Sequence, residues 1–133
     1  MHMSEQKRGE VLRLVPQEKA LVRRPNWRDI RGLGNPGVIV VALDMAGVEF
    51  VSTSFLAGCV DLAGALAEDG KALVLFRPTD HQRLLLRIVS GGSRPGVVDN
   101  EEQLIARVLS LRRQGGGVHE EGVSGTEKSM LWS

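Results

Sequence analysis

Three consecutive hydroxyl residues, Ser52-Thr53-Ser54, stand immediately before an apolar run with helical spacing. The start of a helix presents backbone N–H groups without intrahelical partners and the positive end of the helix dipole. A hydroxyl placed there has two uses. As N-cap it accepts one of those N–H groups, and that alone accounts for a Ser/Thr cluster at a helix entry. Left free, it is an acceptor for a phosphoryl group. Phosphorylation would add about −1.5 to −2 charges and three acceptor oxygens at a site built to tolerate anions.

The other reactive side chains form no constellation. His2, His81 and His119 lie in unrelated settings, and none is at metal-ligand spacing from Cys59, so no metal is expected. Cys59 falls on the apolar stripe of the helix that follows the hydroxyls, the place of a small buried hydrophobe rather than a nucleophile. Asp44 and Glu49 flank a turn, where carboxylates commonly bond the local backbone. No G-x-x-x-x-G-K-[ST] occurs. Gly32-Leu33-Gly34-Asn35-Pro36-Gly37 has the G-x-G-x-x-G spacing, but it precedes a strand rather than a helix, the wrong context for a dinucleotide fingerprint. No catalytic residue and no cofactor is therefore expected.

The 133 residues suit one domain, and a formal net charge of +1 gives no electrostatic case for nucleic acid. Aromatic residues make up 4% of the chain, so the core must be aliphatic. A single cysteine rules out an intrachain disulfide and fits a reducing compartment. No run approaches the length of a membrane span, and MHMSEQKRGE lacks the apolar segment of a secretory signal. A cytoplasmic monomer is the expectation.

Elements that position the hydroxyls follow from periodicity. Residues 1–9 are polar and expected to be flexible. Residues 10–15 alternate weakly as a strand, and residues 19–23 suit a second short one. Residues 25–31 suggest a helical turn carrying Arg28 and Arg31, next to Arg23 and Arg24; a solvated basic face is the simplest account. Residues 32–37 read as a loop. Val38 to Leu43 is a continuous, β-branched run, the pattern of a strand buried on both faces. Phe55, Cys59, Leu62, Ala63 and Leu66 share one helical face, and Gly70 ends that helix. Residues 72–76 form another buried strand. A helix capped by Thr79 or Asp80 follows, with Leu84, Leu85 and Ile88 directed inward. Residues 96–98 suit an edge strand. Asp99 and Glu102 resemble a capping box opening a helix to about Arg113, with Leu104, Val108 and Leu111 on one face. Residues 114–133 read as a disordered tail. The alternation of strands and helices predicts an α/β domain over residues 10–113 with a largely parallel sheet.

Read in order, these motifs resemble the STAS domain, the family of anti-sigma factor antagonists and of the cytoplasmic tails of sulfate-type anion transporters. The family pattern has a strand ending L-D-L-S-G-V, then F-I-D-S-S-G-L opening a helix. Here Leu43-Asp44-Met45-Ala46-Gly47-Val48 is followed by Phe50-Val51-Ser52-Thr53-Ser54-Phe55-Leu56. Gly70-Lys71-Ala72-Leu73-Val74-Leu75 and Val98-Asp99-Asn100-Glu101-Glu102-Gln103-Leu104 match two later family segments. The likeness covers residues 38–111. It implies a mixed sheet of four or five strands with helices packed mainly on one side, and no enzymatic activity.

The resemblance also implies a role: binding a kinase-type anti-sigma factor, switched by phosphorylation of the hydroxyl that follows the family's Asp. That hydroxyl is Thr53. The implied docking surface comprises Asp44, Ser52, Thr53, Ser54, Phe55 and Leu56. The family's Asp is replaced by Ser52 and its Gly by Phe55. The alternative is a STAS-like domain that binds a small ligand, nucleotide, lipid or anion, at the same helix entry without a phospho-switch.

Overall fold

The computed structural model describes residues 2–92 and 94–117. Strands β1 (Met3–Arg8), β2 (Val11–Pro16), β4 (Val40–Asp44), β6 (Ala72–Phe76) and β7 (Gly96–Val98) form one five-stranded sheet in the order β1-β2-β4-β6-β7. β2, β4, β6 and β7 run parallel, with Leu12 opposite Val41 and Leu43 opposite Leu75; β1 is antiparallel to β2. A separate two-stranded parallel ribbon pairs β3 (Ala20–Leu21) with β5 (Phe50–Val51). Among the described residues the helices are α1 (Thr53–Glu68), α2 (Asp80–Ser90) and α3 (Glu101–Gly117), with two short 3-10 turns at Trp27–Asp29 and Arg31–Gly34.

The buried-strand pattern of residues 38–43 has its cause in this order. β4 is the middle strand, so both of its faces are covered. Val41 and Leu43 join Leu12, Leu14, Leu73 and Leu75 against Phe55, Cys59, Leu62 and Leu66 of α1 and Leu86 of α2. Val40 and Ala42 join Val74, Phe76 and Val98 against Leu104 and Val108 of α3. α1 and α2 thus lie on one face of the sheet and α3 on the other. Each fully buried aliphatic side chain contributes roughly 1.5–3 kcal/mol relative to exposure, and the many contributors on the α1 face make it the main source of stability.

Several boundaries differ from expectation. Residues 3–8, expected to be flexible, form β1. The loop is two residues long, and Gly9 takes φ +57°, which suits a hairpin with glycine first in the turn. The α3 helix extends to Gly117, past the expected end near Arg113; the rest of the expected tail, residues 118–133, lies outside the described residues.

One helix phase and one helix cap are corrected, while the α3 face of Leu104, Val108 and Leu111 is the one expected. On α2 the inward residues are Gln82 and Leu86, with Leu85 and Val89 partly buried, whereas Leu84 is 53% and Ile88 68% exposed. Thr79 and Gln82 close a reciprocal capping box that fixes where the helix starts, and hence which of its many apolar residues face the sheet. At α3 the capping side chain is Asn100, whose Oδ1 accepts the Gln103 N–H at 2.9 Å; Gln103 Oε1 in turn accepts the Asp99 N–H. The capping pair is one residue later than Asp99 and Glu102.

Candidate functional site

β4 ends at Asp44, and a compact turn carries the chain to α1. Met45 is buried, and its N–H donates to the Phe76 carbonyl at 2.8 Å. The Val48 N–H closes the turn on the Met45 carbonyl. β5 then pairs with β3, so residues 49–52 are held by backbone bonds to Lys19 and Leu21.

Of the three hydroxyls, Ser52 is the N-cap. Its Oγ accepts the Phe55 N–H at 3.0 Å and donates to the Val22 carbonyl. Both uses are structural: one satisfies a first-turn amide, the other ties α1 to the segment after β3. Thr53 and Ser54 are exposed, and neither hydroxyl bonds another described residue. The first turn of α1 carries no acidic side chain, whereas α2 has Asp80 there and α3 has Glu101 and Glu102. The chemistry available at this entry is therefore an exposed hydroxyl on an uncompensated positive helix end.

Phe55 and Leu56, expected to contribute to a docking surface, are each 0% exposed. Phe55 lies in the core with its ring tilted 57° to that of Trp27, centroids 6.4 Å apart. The Phe55 side chain turns inward, and the 25–31 segment covers it. That segment is the basic stretch of the sequence, and it packs on α1. Trp27 Nε1 donates to the Gly58 carbonyl at 3.0 Å. A Cβ on Gly58 would lie 2.6 Å from Pro25 Cδ, so only glycine permits this approach. Arg24 pairs with Asp61. The arginines are the outer face of a structural apron.

Asp44, also expected in the docking surface, is 7% exposed and held in an ion-pair cluster on the α3 face. Its Oδ2 accepts Arg13 Nη2 at 2.8 Å and Nε at 3.2 Å, with Arg77 Nη2 at 3.4 Å; its Oδ1 accepts the Ala46 N–H at 2.9 Å. Burial alone would raise its pKa. The Ala46 N–H and the two guanidiniums more than offset that and hold the carboxyl below its ordinary value. Both guanidiniums also stack on the ring of Phe76, at 4.9 Å for Arg13 and 4.7 Å for Arg77. Sequence reasoning missed Arg13, Phe76 and Arg77. The available signal was Arg13, a charge in the middle of an otherwise apolar strand that needs a carboxylate nearby.

The remaining candidates are dispersed. Cys59 is fully buried and its thiol pKa is pushed up, so it stays protonated and inert. His2 and His81 are exposed, and His119 lies outside the described residues. Among the described residues no group of three or more His, Cys, Asp or Glu is arranged to hold a metal ion. Two open clefts, of about 380 and 340 Å³, border residues 20–30 and the start of β6, and neither is lined by residues 52–56. No described helix is long and apolar enough to cross a membrane.

Sheet order, helix placement and the strand–turn–helix unit at residues 40–68 together define the STAS-like α/β fold. Solved structures bear this out. The anti-sigma factor antagonist SpoIIAA in its unphosphorylated form aligns with a TM-score of 0.56 at 14% identity, over 81% of this chain and 98% of its own. A presumed anti-sigma factor antagonist from Thermotoga maritima aligns with a TM-score of 0.63 at 14% identity, over 80% of this chain and 94% of its own. No family model and no curated protein matches the sequence. The likeness is one of fold.

Proposed function

We propose that this chain is a non-enzymatic, anti-sigma factor antagonist-like regulatory module. It docks a protein partner, of the kinase-type anti-sigma factor class, through the entry of α1. Phosphorylation of Thr53 switches that contact. One observation carries the reading. Ser52 does all the capping, which leaves Thr53 and Ser54 exposed on a helix end with no acidic residue of its own. The fold shared with SpoIIAA supplies the class of partner. A phosphate on Thr53 would sit on the positive helix end, so the modified state costs the fold little. At a partner's contact surface it would replace a small neutral group with about two negative charges. The docking surface is thus narrower than the sequence suggests: Thr53 and Ser54 in place of all of residues 52–56.

The test is incubation with a kinase-type anti-sigma factor and ATP, followed by peptide mass spectrometry and a binding assay. Phosphate on Thr53, and weaker binding of the phosphorylated form, are the expected results. Absence of both phosphate transfer and complex formation would end the proposal.

A further inference from the structure

β7 is shorter than the strand it borders. It pairs with β6 from Val74 onward, so Ala72 and Leu73 at the amino-terminal end of β6 have no strand beside them on that edge. The Ala72 N–H donates to the Ile39 carbonyl on the β4 side. Alternation along a parallel strand therefore turns the Leu73 N–H to the open edge. Leu73 is buried, and its N–H meets no backbone acceptor among the described residues. An acceptor from solvent or from a ligand is expected there.

The cleft of about 340 Å³ lies at this edge, at the small end of the range of ligand sites. Ala63 and Ala67 of α1, with Leu73 and with Leu111 of α3, give it an apolar wall. Lys71, Arg94 and Arg107 bring three cations to it, and no acidic residue lines it. The Arg107 guanidinium rests over Gly96, where a Cβ would stand 3.9 Å from its Cζ. Lys71 Nζ donates to the Leu33 and Asn35 carbonyls, both neutral. Arg94 and Arg107 enter no ion pair among the described residues, whereas Arg112, further along α3, pairs with Glu10. Solvated arginines are common, and a cation after a helix suits its dipole. That explains each charge singly. It does not explain their convergence on one apolar-walled cleft beside an open N–H.

We propose that this cleft binds a small organic phosphate. Lys71, Arg94 and Arg107 take the phosphate, whose charge and oxygens suit guanidinium and ammonium donors, and Ala63, Ala67 and Leu111 take its apolar body. Ala67 lies about 20 Å along α1 from Thr53, so the site is independent of the switch proposed above.

The full chain is titrated with hexyl phosphate, inorganic phosphate and hexyltrimethylammonium, followed by calorimetry and by two-dimensional amide NMR. Hexyl phosphate should saturate one site and shift the Leu73 amide, leaving those of Thr53 and Ser54 in place. Inorganic phosphate should bind about tenfold or more weakly, for want of the apolar contacts. Hexyltrimethylammonium, the same tail on a positive head, should not bind. Combining Arg94→Gln with Arg107→Gln should weaken hexyl phosphate about tenfold or more. Both side chains are exposed, so the double variant should unfold within about 2 °C of wild type. Thr53→Ala should bind as wild type does, so failure of the switch leaves this site standing. The proposal is overturned by no saturable binding, by equal binding of the hexyl cation or of inorganic phosphate, by a double variant that binds as well as wild type, or by shifts confined to the α1 entry.

Discussion

Two helices leave the carboxyl end of the central sheet, α1 after β4 and α2 after β6, and their entries are built differently. At α2 the chain supplies everything. Thr79 Oγ1 accepts the Gln82 N–H at 3.1 Å, and Gln82 Oε1 accepts the Thr79 N–H at 2.9 Å. Gln82 Nε2 also donates to the Val48 carbonyl at 3.0 Å, and Asp80 faces the dipole. At α1 a single serine caps, no carboxylate compensates, and two hydroxyls face solvent. Stability alone would favour the α2 solution at both places. The α1 entry gives up part of that stabilisation, and the loss makes sense if something arriving from outside the chain uses the free end.

This contrast separates residues that adjoin one another in sequence, and mutagenesis at the α1 entry should reproduce the separation. The largest effect belongs to Phe55. Truncation to Ala should cost about 3–5 kcal/mol, the range for a large buried aromatic, measured by urea unfolding. A cost below about 1 kcal/mol would place Phe55 on the surface and restore the wider docking patch.

Next comes the turn that launches the entry. Arg13→Ala leaves Asp44 without its principal partner and should cost about 2 kcal/mol at neutral pH. The same pair sets an acid dependence. The folded Asp44 carboxyl titrates below its ordinary value of 3.8, so its contribution is complete above that pH and is lost as pH falls through the lower folded value. Asp44→Asn should flatten the stability profile below pH 4. An unchanged acid limb in this variant would show that other carboxylates carry it.

Ser52→Ala removes the cap and the tie to Val22 together, an expected cost of about 1 kcal/mol. The comparable change at α2, Thr79→Ala, should cost as much or somewhat more, because it also breaks the reciprocal bond to Gln82.

How much of this the sequence disclosed depended on what kind of signal each residue emits. β4, β6 and α1 announce themselves because burial imposes a dense apolar period, and the hydroxyl cluster marks the α1 entry because caps use few residue types. β1 was silent: Met3 is its single apolar residue, and an edge strand held by backbone bonds needs no period. The phase of α2 was ambiguous because Leu84, Leu85, Leu86, Ile88 and Val89 exceed one face; the capping box, not hydrophobicity, chooses among them. Phe55 is buried as its place on the apolar stripe of α1 requires, whereas membership of the 52–56 motif says nothing of which way its side chain or that of Leu56 turns. The cover that Trp27 lays over Phe55 is a long-range contact with no local trace. The Asp44 cluster joins residues 31 and 33 apart in sequence, and only the parallel register of β2, β4 and β6 brings them together.

The smallest effect bears most directly on function. Thr53→Ala should leave stability within about 0.5 kcal/mol of wild type, since its hydroxyl bonds nothing among the described residues. Thr53→Asp should raise stability by about 0.5 kcal/mol at low ionic strength, because it supplies the first-turn carboxylate that α1 lacks. The gain should fade as salt screens it. At α2 the reverse change, Asp80→Asn, should shift stability in the opposite direction, because that end is already compensated. If Thr53→Asp instead destabilises the fold, the α1 entry cannot hold an added negative charge cheaply. A phosphate on Thr53 would then have to alter the fold itself rather than only the surface a partner meets.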